Sequence, residues 1–282
     1  MPLTKILFAL MFVGLISACS PATVESPRAS APGKDSATPV ATPSSAALTR
    51  VPPPSPSSFD GWPEEAIWIL QPGPGSRVAS PLRIAGIADP TFEQHLIVRL
   101  VLDDAEEPWI ERPVIIASDV GKRGPFEVEI PFAVDRERQA FLQVYATSPR
   151  DGGITHLSTA GILLIPGGPS ELRPPPPSRE RILIQHPVIA QRIRGGVVVV
   201  QGIGVARFEQ TLVAELLDEE GDLLGARTIT LDAADPGHPA PFRVEIPYRI
   251  SRSGPGRVVV RDPSPAFAGD FHRTSVEVWL EP

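Results

Sequence analysis

A single cysteine, Cys19, stands in 282 residues. No disulfide can therefore close within the chain, and whatever folds must hold by packing alone. Aromatic residues are scarce as well, at 6%; with Val, Ile and Leu abundant, they are enough for two modest cores but not for one large catalytic body. Positive charge is not in excess. Lys and Arg number 26 against 33 Asp and Glu, a net charge of −7, which argues against nucleic acid as the main partner. No Gly-x-Ser-x-Gly elbow, His-Glu-x-x-His, Walker loop or paired-glycine dinucleotide fingerprint occurs, so no enzyme, cofactor or metal-ligand set is expected. No 12-residue stretch has a convincing helical period, and 35 prolines exclude large helical bundles.

The longest apolar run lies at the amino terminus, from Ile6 to Ile16 after the lone charge of Lys5. As a helix it would reach only about 16 Å, roughly half the hydrocarbon thickness, so it reads as a secretion signal and not as a membrane span. Leu15-Ile16-Ser17-Ala18-Cys19 resembles the lipobox of bacterial lipoproteins. That resemblance implies cleavage before Cys19, lipidation of its thiol, and anchoring of the chain at the outer face of the inner membrane or in the outer membrane. Residues 20–59 are almost all Pro, Ser, Ala and Thr, too poor in large apolar side chains to form a core. They are expected to form a disordered tether of about 35 Å as a coil. A second Pro-rich segment, 167–179, holds Pro174-Pro175-Pro176-Pro177 and is expected to act as a short semi-rigid spacer.

On either side of that spacer the sequence repeats. Gly86-Ile87, Phe92-Glu93-Gln94 and Leu96 recur as Gly202-Ile203, Phe208-Glu209-Gln210 and Leu212. Pro125 to Phe132 recurs as Pro241 to Tyr248, and His156 as His272. Laid ungapped, 86–166 against 202–282 gives 24 identities in 81 positions, a tandem duplication. Within each copy the period is two. Leu96, Val98, Leu100 and Leu102 alternate with His95, Ile97, Arg99 and Val101, and Phe126, Val128 and Ile130 alternate with Glu127 and Glu129. Such segments are half-buried strands. Further strands are expected near 67–70, 82–87, 109–116, 141–147 and 158–165. About seven short strands per 100 residues, separated by Pro, Gly and Asp turns, indicate an all-β protein of two antiparallel immunoglobulin-like sandwiches, at 61–166 and 180–282.

Ile69-Leu70-Gln71-Pro72, Gly75-Ser76, Ser80-Pro81, Leu82 to Gly86, Phe92-Glu93 and Pro125-Phe126 together resemble the immunoglobulin-like (Gmad) domain of bacterial spore germination proteins. The second copy keeps Pro187, Gly202, Phe208-Glu209 and Pro241-Phe242, while its first turn has diverged. The resemblance implies an extracytoplasmic sandwich that serves as a spacer or a binding surface.

The remaining candidates are weighed against structural roles. His156 and His272, near the start of the last strand of each copy, are expected to be satisfied or surface groups. The acidic runs at 103–107 and 218–222 are read as solvated hairpins, with calcium as the alternative. Phe92 and Phe208 are expected to plug one end of each sandwich while Glu93 and Glu209 bond nearby backbone donors. Trp68, Trp109 and Trp279 could line a sugar-stacking face. Arg243, Arg249, Arg252, Arg257 and Arg261 share a stretch with Glu245 as its only carboxylate; Trp279, Arg243, Arg257 and Arg261 are the candidate binding surface. The expected function is a lipid-anchored, non-enzymatic structural or protein-binding module of the envelope. The alternative is a surface lipoprotein that binds carbohydrate or an anionic polymer.

Overall fold

The computed structural model describes residues 62–103 and 108–282. The signal segment, Cys19, the tether and all of the first acidic run except Asp103 lie outside them.

The first copy contains β1 (Ile67–Gln71), β2 (Arg77–Ala79), β3 (Leu82–Ala88), β4 (His95–Leu102), β5 (Ile110–Ile115), β6 (Gly124–Ile130), β7 (Arg138–Thr147) and β8 (Ile154–Ile165). The second repeats the series as β9 (Ile182–His186), β10 (Arg192–Ile193), β11 (Val197–Gly204), β12 (Thr211–Leu217), β13 (Leu223–Thr230), β14 (Ala240–Pro247), β15 (Gly254–Pro263) and β16 (Asp270–Leu280). The protein is all-β, as the period of two requires. In β6 the alternation is visible residue by residue: Phe126 and Ile130 are buried while Glu127 and Glu129 face solvent.

Each copy is a sandwich. Its smaller sheet has three strands, in the order β1-β3-β6 in the first copy and β14-β11-β9 in the second. The facing strands belong to one long sheet, ordered β13-β12-β15-β16-β8-β7-β4-β5, with β2 added beside β8 and β10 beside β16. Separate cores fill the two sandwiches, one around Leu82, Leu100, Phe126 and Leu142, the other around Val200, Leu216, Phe242 and Val260.

The repeated Gly-Ile pairs have a packing cause. A Cβ on Gly86 would lie 2.3 Å from Cζ of Phe126 and 2.5 Å from the Trp68 carbonyl oxygen. On Gly202 it would lie 2.1 Å from the Leu183 carbonyl oxygen and 2.7 Å from Cζ of Phe242. Glycine lets the phenylalanine ring and the opening strand close over the same point.

Two sequence expectations change. Phe92 and Phe208 do not plug the sandwiches, being 57% and 49% exposed. Glu93 and Gln94 adopt left-handed φ values of 53° and 57°, which turns Gln94 inward instead. Its Nε2 donates to the carbonyls of Asp119 and Lys122, each at 3.2 Å. In the second copy Gln210 accepts from the Ala233 N–H through Oε1, at 3.2 Å. Glutamine, with an amide that both donates and accepts, is the residue that ties this turn to the loop before the next strand.

The segment after β8, expected to act as a semi-rigid spacer, is docked along the first copy. Arg77 and Glu171 exchange two backbone hydrogen bonds of 2.9 and 2.8 Å, the Arg173 N–H donates to Ser76 Oγ at 2.9 Å, and Trp68 Nε1 donates to the Pro176 carbonyl at 3.0 Å. Proline lacks a donor but keeps its carbonyl, so a Pro-rich strand can still dock where neighbours supply N–H groups.

Candidate functional site at the junction of the two copies

β8 and β16 pair antiparallel, Ser158 opposite His272 and Leu157 opposite Arg273. The last strands of the two copies therefore meet edge to edge, and the long sheet crosses the duplication. Both copies fall in one compact unit. The pairing brings the equivalent histidines together, with ring centroids 5.1 Å apart and planes at 88°. Each copy adds a glutamate from just before its opening strand, Glu65 before β1 and Glu180 before β9.

These four side chains form a closed polar centre. Glu65, Glu180 and His272 are buried, and the His156 side chain keeps 13% exposure. His272 Nε2 lies 2.6 Å from Glu180 Oε1 and its Nδ1 lies 3.3 Å from Glu65 Oε1. His156 Nε2 is 3.8 Å from Glu65 Oε1 and 3.7 Å from Glu180 Oε2. Outer bonds fix the carboxylates, since Ser158 Oγ donates to Glu65 Oε1 and the Ala66 N–H donates to Glu180 Oε2 at 3.0 Å. Burial alone would lower the His156 pKa, but the charges of Glu180 and Glu65 outweigh it and hold the ring above its ordinary value. Burial would likewise raise Glu180, but His156 and His272 bring it down to about 2. His156 Nε2 and His272 Nδ1 are nevertheless buried without a hydrogen-bond partner.

Further contacts between the copies lie around this centre. Val101 and Phe141 of the first copy pack on Phe267 and Phe271 of the second, with the Phe141 and Phe267 rings 4.2 Å apart. Gln143 Nε2 and Thr159 Oγ1 both donate to the Asp270 carbonyl, at 2.8 and 3.0 Å. On the other side of the junction Asp151, in the β7–β8 turn, takes Arg257 NH2 through both carboxylate oxygens at 2.8 Å, while Glu277 Oε1 holds Arg257 Nε at 2.7 Å. A cavity of ≈ 280 Å³ opens over the polar centre, walled by Trp62, Trp68, Arg207, Glu65, Glu180 and His272.

The basic patch expected at 243–261 is divided: Arg243, Arg249 and Arg252 are exposed, while Arg257 and Arg261 are drawn into the protein. Arg257 is buried at 0% exposure because Asp151 comes from the other copy to neutralise it. Arg261 is shared between Glu215 and Asp270, at 2.9 and 3.0 Å, and Arg243 pairs with Glu245 at 3.0 Å. Trp279 points outward between buried Val278 and Leu280, 38% exposed, with the Arg192 guanidinium 6.0 Å from its ring. The three tryptophans considered for sugar stacking have separate partners: Trp68 bonds Pro176, and Trp109 packs edge-on against Phe132. In the second acidic run, Asp218 Oδ1 accepts the N–H groups of Glu220 and Asp222 at 3.1 and 2.8 Å, which is turn chemistry.

Sequence reasoning placed His156 and His272 as equivalents but missed their meeting and missed both glutamates. The signal was present in the spacing: Glu65 and Glu180 each stand two residues before an Ile that opens the first strand.

Residues 66–153 match the family model described as the immunoglobulin-like domain of bacterial spore germination, Gmad2. Over those residues the first copy is similar to that family. The match covers β1 to β7 and ends just before β8. Such a domain suggests a non-catalytic binding or structural module. No curated protein matches the sequence. Among solved structures, a red sea bream transglutaminase aligns over 77% of this chain and 31% of its own, at 11% identity and a TM-score of 0.28. Dimeric latent PorU from Porphyromonas gingivalis aligns over 78% and 24%, at 10% identity and 0.24. CBD12 from CALX1.2 aligns over 76% and 99%, at 7% identity and 0.19. The chain spans about a third or less of the first two.

Proposed function

We propose that this chain is a lipid-anchored extracytoplasmic envelope protein whose paired immunoglobulin-like copies act as a non-enzymatic structural or protein-binding module. The observation that carries the reading is the ten-stranded sheet that runs through both copies. It turns two small sandwiches into one stiff body, suited to holding a surface at a set distance and orientation. The lipobox-like segment ending at Cys19 and the Pro-rich residues behind it support an anchor and a tether for that body. The Gmad match supports a module and not a catalyst. For polymer binding as the alternative, Arg257 and Arg261 are already taken by carboxylates of the protein, while Arg243 and Trp279 stay exposed.

Fractionation of cells that express wild type and Cys19→Ala tests the reading. Wild type should partition with the membrane as a processed chain carrying lipid mass, and the variant should be unprocessed or released. Equal membrane retention with mature chains of identical mass would overturn it.

A further inference from the structure

We propose that Glu65, His156, Glu180 and His272 hold one divalent transition-metal ion of the zinc class, clasping the two immunoglobulin-like copies at their junction. Each residue offers one ligand atom, and the four atoms lie within 4.8 Å of one another. Tetrahedral coordination with bonds of about 2.0–2.1 Å requires ligand separations of about 3.3 Å. Glu65 Oε1 to His272 Nδ1 is 3.3 Å, Glu180 Oε2 to His156 Nε2 is 3.7 Å, and Glu65 Oε1 to His156 Nε2 is 3.8 Å. The 3.7 and 3.8 Å pairs exceed the tetrahedral separation by about 0.5 Å, and the remaining pairs lie within 4.8 Å, so the four side chains draw together as the ion binds.

A metal-free network of ion pairs would leave His156 Nε2 and His272 Nδ1 facing the carboxylates at 3.3 to 3.8 Å without a hydrogen bond to any partner, and a buried polar atom lacking a hydrogen bond is the feature a bound ion resolves. The neighbouring bonds prepare the lone pairs. In the tautomer whose Nε2–H donates to Glu180 Oε1, 2.6 Å away, Nδ1 of His272 is free as a ligand. Ser158 and the Ala66 N–H orient the two carboxylates, in the way outer hydrogen bonds orient metal ligands elsewhere. Two carboxylates neutralise a divalent ion in a buried place, and two imidazoles select against calcium and magnesium, which take oxygen ligands. The cavity beside Glu65, Glu180 and His272 supplies a path of entry.

The duplication explains how such a site arises. Each copy carries one Glu before its first strand and one His in its last, half a shell that is completed only when β8 meets β16.

The test is a titration of the purified full chain, stripped with chelator, with Co²⁺ and then Zn²⁺. The expected result is one equivalent of Co²⁺ bound with the visible absorption of a four-coordinate site, displaced by Zn²⁺ and not by Ca²⁺ or Mg²⁺. His156→Gln and Glu65→Gln should weaken binding by about 100-fold or more. Should a variant fail to fold, the wild-type imidazole nitrogen resonances decide: Zn²⁺ should move those of His156 and His272 and leave His95, His186 and His238 in place. Absence of binding by wild type at about 1 mM Zn²⁺, undiminished binding by a folded variant, or movement of the other histidines alone would overturn the proposal. Cys19→Ala should bind metal as wild type does, so a failed anchor and a failed metal site are distinguishable.

Discussion

Asp151→Ala isolates the buried ion pair that ties the β7–β8 turn of the first copy to β15 of the second. The Asp151 and Arg257 side chains are each 1% exposed. Burial alone would raise the Asp151 pKa, but the hydrogen bonds from Arg257 and from the Gly153 N–H outweigh it and bring the value from 3.8 to about 2. That fall corresponds to about 2 kcal/mol of stability at neutral pH. Breaking a buried pair by removing one partner typically costs about 3–5 kcal/mol. Glu277 still holds the other side of the guanidinium, so the loss should lie near 2–3 kcal/mol, about the lower end of that range. The folded value lies below the unfolded one, so the contribution is present above about pH 4 and is lost as pH falls towards 2; about half is gone by pH 3. Denaturant midpoints of wild type and Asp151→Ala at pH 7 and pH 3 measure both quantities, and a double-mutant cycle with Arg257→Met isolates the coupling. A difference under about 0.5 kcal/mol at pH 7, or one that does not shrink at pH 3, would refute the reasoning.

Other positions separate core from surface. Phe126→Ala should cost about 3–5 kcal/mol, because the ring is buried against Gly86, while Glu127→Ala should change stability by less than about 0.5 kcal/mol; chemical denaturation ranks the two. Gln94→Ala should cost about 1–3 kcal/mol, because the carbonyls of Asp119 and Lys122 lose their donor. Phe92→Ala, at a largely exposed ring, should cost less than Gln94→Ala by the same assay.

Local physics made the strands legible. Wherever one face is buried the period is two, so β3, β4, β6, β7 and β8 stand within a few residues of where alternation placed them, and Phe126 and Ile130 are core residues as their register required. The backbone turn at 92–94 was not legible in that way. The intact repeat of Phe-Glu-Gln suggests an inward Phe, but with two successive left-handed residues it is Gln94 that is buried and Phe92 that is exposed. Long-range pairing hid the rest. Arg257 reads as a surface cation until Asp151, 106 residues earlier, arrives at its side. The Glu65, His156, Glu180 and His272 centre is likewise split between copies, and no local spacing relates a glutamate before the first strand to a histidine in the last. Only the edge-to-edge meeting of β8 and β16 assembles it.

That meeting is the central claim, and ¹⁵N relaxation of the full chain tests it directly. Amides in β3, β4 and β7 of the first copy and in β11, β12 and β15 of the second should report one shared rotational correlation time, that of a single body containing both sandwiches. Two distinct correlation times, each fitting a domain of about 100 residues, would mean that the copies tumble independently and that neither the junction nor the site built there persists in solution.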